Sequence, residues 1–127
     1  MTPPDAFALF AFYHLGLDPE TWQYRFRNLH AVARRWNVTS DDVTRWLAAH
    51  RLDADTCVRV DFNLAGAHGA AMGLELDGAP AEARRAFAEA TWAQFTAARD
   101  RGLLAEAKSH VDWDDPLGKK PATGARD

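Results

Sequence analysis

At 127 residues, 47% of them hydrophobic and five of them Trp, the chain is long enough to bury one core without disulfides or metal clips. Its net charge of −3 argues against a uniformly basic, nonspecific nucleic-acid binder. Its one cysteine, Cys57, excludes an internal disulfide and the paired spacing of zinc or redox motifs, and reads as a small buried hydrophobe in a reducing cytoplasm.

Charge is unevenly placed. From Trp22 to Leu52 six arginines stand against Asp41 and Asp42, so the acidic excess lies in the rest of the chain. The first stretch, Thr2 to Leu15, opens with a Thr-x-x-Asp capping pattern followed by a run from Ala6 to Tyr13 that is apolar on every side. A helix of this kind must be surrounded by the protein's own core or by a partner, and Gly16 should stop it. It is too short to span a membrane and lacks the basic leader and cleavage site of a secretory signal, which points to the cytoplasm. Trp22, Tyr24 and Phe26 then alternate with Gln23, Arg25 and Arg27, a period of two that predicts a short strand with aromatics inward and arginines in water.

Asn28 to Leu52 is the most informative stretch. Asn28 can cap a helix whose apolar positions are Leu29, Val32, Ala33 and Trp36, and Thr39 with Asp42 three residues later reads as a second helix start. Asn37 stands where a tight turn needs a residue tolerant of left-handed backbone, with Val38 turned inward. Val43, Trp46 and Leu47 give the second helix its buried stripe. On these residues, and on ARRWNVTSDDVTRWL above all, the segment resembles the helix-turn-helix superfamily over about a fifth of the chain. Asn37 replaces the usual turn glycine, and Asp41 and Asp42 open the helix that the resemblance makes the recognition helix.

Farther on, Val58, Val60, Phe62 and Leu64 alternate, as do Met72, Leu74 and Leu76, which fits a hairpin. Val60, Leu64, Ala67, Ala71 and Leu74 fit one face of a helix equally well, against a cost of about 1 kcal/mol for each of Gly66, Gly69 and Gly73. Ala83, Phe87, Thr91, Trp92, Phe95 and Ala98 outline a last amphipathic helix, expected to end near Gly102 and to close the core against the first. Residues 1–104 thus read as one domain and 105–127 as a polar, disordered tail, in which HVDWDD (His110 to Asp115) is a solvated stretch, a docking motif or a weak metal site. The fold expected is mainly α, a compact helical domain around the helix-turn-helix, with a winged-helix-like α+β arrangement as the alternative.

No phosphate-cradling glycine loop, nucleophile elbow or histidine pair at ligand spacing occurs, so neither enzyme, cofactor nor metal is expected. The resemblance implies DNA binding, with Thr39, Ser40, Asp41, Thr44 and Arg45 at base edges and Arg34, Arg35 and Arg51 at phosphates. Carboxylates at the helix start repel the DNA backbone, so a protein partner on the same surface, for example a GTPase or kinase switch, is the rival expectation; a homodimer fits either.

Overall fold

The structure, a computed structural model, describes residues 4–114. Helix α1 (Ala6–Leu9) is capped by Asp5, whose carboxylate accepts the Ala8 N–H at 2.7 Å. The acid read as the partner of Thr2 is therefore itself the cap, and Thr2 lies outside the described residues. The helix widens directly into a π-helical stretch, Phe10–His14. Leu9, Phe10, Ala11 and Phe12 are all within 1% of full burial, which no helix lying on a surface achieves; the expectation of an enclosed helix holds.

Gly16 ends this element with φ +76°, and a tight loop follows it. Within that loop Trp22 N–H donates to Asp18, Asp18 N–H to Gln23, and Arg25 N–H to Gly16. The strand predicted at Trp22 to Phe26 is replaced by this loop, whose one sheet-like contact is a bridge between Leu17 and Tyr24. The alternation fails at its end. Phe26 is 78% exposed, while Arg27 lies over the Phe12 ring, 4.2 Å from its centroid, and donates to the Gly16 and Gln23 carbonyls.

Helices α2 (Leu29–Trp36) and α3 (Ser40–Ala49) follow, joined by the three residues Asn37, Val38 and Thr39. A short α4 (Ala54–Cys57), capped by Asp53, leads through turns to α5 (Leu64–Leu76), capped by Asn63. The ambiguity over residues 58–76 resolves in favour of the helix over 64–76, with residues 58–63 in turns. Ala71 is buried and Leu64 and Ala67 pack on the core at helical spacing, so packing outweighs the glycine cost. No strand forms among the described residues, so the winged-helix alternative is set aside and the fold is mainly α.

Helix α6 (Ala81–Asp114) passes through Gly102, its predicted end, without interruption. Phe87, Ala88, Thr91, Trp92, Phe95 and Ala98 face the core, and Phe95 and Trp92 each bring ring centroids within 5.0 Å of Phe10. The last helix therefore closes against the first, as its pattern implies. The HVDWDD readings concern side chains outside those described, and residues 115–127 lie outside altogether.

Gly69 and Gly73 sit in the interior of α5 with nothing within 4 Å of where a Cβ would be. Nothing in the fold requires their lack of a side chain, while each costs the helix backbone entropy. Gly69→Ala and Gly73→Ala are each expected to raise stability by about 0.5–1 kcal/mol in urea unfolding, at unchanged m value.

Candidate nucleic-acid interface

The α2–α3 unit is built from local chemistry. The Asn28 side chain accepts the Ala31 N–H at 2.9 Å and starts α2. At its other end Asn37 is left-handed (φ 55°, ψ 52°) and Val38 N–H returns to the Ala33 carbonyl at 2.9 Å, the closure that lets a helix stop and the chain reverse within one residue. Thr39 and Asp42 form a reciprocal capping box, at 3.1 Å in both directions. Val32 and Ala33 of α2 and Val43 and Leu47 of α3 are buried, and Trp36 and Trp46 are half-buried at the edges. What remains outside on α3 is Asp41, Thr44, Arg45, Ala48 and Ala49, all exposed, with Ser40 beside them.

The eight residues singled out from the sequence do not share one environment. Thr39 is occupied by its cap, Ser40 Oγ bonds to the His30 ring at 3.2 Å, and Thr44 donates to the Ser40 carbonyl. Arg34 and Arg51 are exposed, Arg51 in a left-handed conformation (φ 58°) just past the end of α3. Arg35 is turned away from this surface. Its Nε lies 3.2 Å from Asp18 and its second nitrogen 2.8 Å from Glu20, and it covers the Trp36 ring at 5.0 Å. Burial pulls the Asp18 carboxyl toward protonation, but the Glu20 and Thr21 amides and Arg35 together hold its pKa below the ordinary value. A phosphate contact from Arg35 would have to break this cluster. Arg45 is 70% exposed on its side chain and ion-paired with Asp42, whose pKa is lowered mainly by the Thr39 amide and hydroxyl and further by Arg45. Of the four arginines assigned to binding, Arg34, Arg45 and Arg51 thus remain at the surface.

The chain matches no family model, no curated protein and no solved structure.

A second constellation is not legible in the sequence, because the contacts of His14 and His68 that build it link residues 38 to 54 apart and no spacing connects them. His14 Nε2 donates to the Leu52 carbonyl at 2.9 Å, and the Cys57 thiol donates to the same oxygen at 3.5 Å. His68 Nδ1 donates to the His14 carbonyl at 3.0 Å, and Tyr24 Oη lies 2.7 Å from His68 Nε2. Cys57 and His14 approach to 3.9 Å without forming a nucleophile and base. Burial and the charge of Asp53 push the thiol up to about 11, and burial pulls the His14 pKa down, so both groups are neutral near pH 7. Cys57, read as a buried hydrophobe, is half-buried and packed on the core.

Proposed function

We propose that the protein is a non-enzymatic cytoplasmic regulator that binds DNA through residues 28–52, with α3 as the element entering the major groove. The observation that carries this reading is the uncovered outer face of α3, bearing Thr44 and Arg45, with Arg34 and Arg51 exposed on either side in sequence. Backbone contacts come from Arg34 and Arg51, and base contacts from Thr44 and Arg45. Before Arg45 can reach a guanine, it must leave Asp42. An exposed, solvent-screened pair of this kind contributes little, less than the roughly 1–3 kcal/mol of discrimination that a bidentate guanine contact supplies. No helix among the described residues is long and apolar enough to cross a membrane.

A protein partner on the same surface is favoured by one feature, the two carboxylates Asp41 and Asp42 in the first turn of α3. They satisfy the helix dipole that would otherwise attract phosphate. Fluorescence anisotropy on random-sequence duplexes separates the readings. DNA binding is expected to weaken with salt along a log–log slope of about −0.9 per phosphate contacted, and Arg34→Ala to reduce that slope by about 1 while weakening all sequences alike. Absence of binding at low salt would transfer the function to the protein partner.

A further inference from the structure

Helix α5 has two apolar sides. Leu64, Ala67 and Ala71 pack on the core, while Ala65, Gly69, Met72 and Leu76 recur at the spacing of the opposite side and are exposed, Leu76 by 79%. From Leu64 to Leu74 the one ionisable side chain is His68, which is engaged with the Tyr24 hydroxyl and the His14 carbonyl. A helix apolar all round belongs in an interior, and here the chain covers one side of it. The loop before α2 widens the uncovered side. Arg84 donates to the Trp22 carbonyl at 3.3 Å and pairs with Glu75 at 2.6 Å, while the exposed Phe26 ring lies 6.2 Å from the His68 ring. The loop from Trp22 to Phe26 therefore runs along a flank of α5, from its C-terminal end toward its N-terminal half.

Charge at the borders of this face identifies its occupant. Arg25, next to Phe26, is exposed, and its guanidinium makes no ion pair or hydrogen bond among the described residues. At the C-terminal end of α5 stand Asp77 and Glu82, also exposed and also without an ion pair among the described residues, with Glu75 beside them on Arg84. The face is neutral in the middle, cationic toward one end and acidic at the other. A two-fold rotation through its centre lays the cationic end of one copy on the acidic end of the next, so the surface complements itself in charge as well as in its apolar middle. An anionic bilayer would be repelled by the acids.

We infer that the outer face of α5, together with Phe26, is the seam of a homodimer in which two α5 helices lie antiparallel. It is independent of the α2–α3 surface. Phe26, Met72 and Leu76 supply the apolar area, and Gly69, with nothing within 4 Å of where a Cβ would be, leaves room at the middle for the facing helix. Thirteen residues make α5 about 20 Å long and about 10 Å across, so the face offers on the order of 300 Å² per copy. That falls short of the roughly 800 Å² per partner of a standard stable complex, and the dimer is weak, with a dissociation constant on the order of 10–100 µM. Unfolding followed at about 2 µM then reads the single chain.

Sedimentation equilibrium of the full chain from about 5 to about 500 µM tests the seam. The apparent mass is expected to climb from 14.1 kDa toward twice that value. Leu76→Lys and Phe26→Ser alter exposed side chains, leave the fold intact, and should each raise the dissociation constant by about tenfold or more. Arg25→Glu should weaken association several-fold, Arg25→Lys should largely preserve it, and Arg34→Ala should leave it unchanged. A single-chain mass at the highest concentration, or a dimer that Leu76→Lys and Phe26→Ser leave untouched, would overturn the proposal. Co-sedimentation of a single chain with phosphatidylcholine vesicles would also overturn it and assign the face to lipid.

Discussion

Phe10→Ala is expected to lower stability by about 3–5 kcal/mol, enough to move the melting temperature by on the order of 15 °C or to leave the chain unfolded. Phe10 is fully buried, and its ring meets Trp92 and Phe95 of α6 at centroid distances of 5.0 Å, with His14 at 5.7 Å. The side chain therefore joins the first helical element to the last. Its removal opens a cavity where the first helical element meets the last, and the rigid rings around it cannot collapse to fill the space. A total stability of about 5–15 kcal/mol is typical of a domain, so this single change takes a large share. Phe26→Ala is the matched control. That ring is 78% exposed and should change stability by less than about 0.5 kcal/mol in the same urea titration.

Gly16→Ala should be nearly as damaging, at about 2–4 kcal/mol, although it adds a single methyl group. Gly16 has φ +76°, where an L side chain is strained. A Cβ built there falls 2.4 Å from the Arg25 carbonyl oxygen and 2.9 Å from the Tyr24 ring, so the backbone itself has to move. The same loop receives the Arg25 N–H on the Gly16 carbonyl, at 2.9 Å, and the Arg27 guanidinium. Strain and a weakened hydrogen bond then act together. Placing alanine at Gly69 has the opposite sign, because that helical position is surrounded by open space. Equilibrium unfolding of the two variants side by side checks both signs, and a Gly16→Ala protein as stable as the parent would contradict the loop geometry.

The parts of the fold legible in the sequence are those decided within a few residues. Asn28, Asn37, Thr39 and Asp42 perform the capping and turning that their side chains allow, since those hydrogen bonds reach only three residues along the chain. Residues 58–76 were ambiguous because their apolar positions satisfy both periods, and the choice came from packing of Ala67 and Ala71 that no local pattern encodes. Gly102 has the pattern of a stop, yet an interior glycine costs a helix only about 1 kcal/mol; it has no positive φ here, and the helix simply continues. The alternation at Trp22 to Phe26 implied a strand that has no neighbour to pair with beyond Leu17. Within the candidate interface, the exposed face of α3 was legible from helical spacing. The withdrawal of Arg35 toward Asp18 and Glu20 was not, because that ion pair joins residues 15 to 17 apart across a loop. The same holds for the histidine cluster, whose members meet only once the helices are packed.

The most direct test of the proposed working surface is an amide NMR map of the full chain titrated with a pool of duplex DNA at low salt. Shifts are expected to concentrate on Thr39 to Ala48, with Arg34 and Arg51 following and the outer face of α5 unchanged. Shifts confined to α5 and α6, or a spectrum unaltered at saturating DNA, would contradict it.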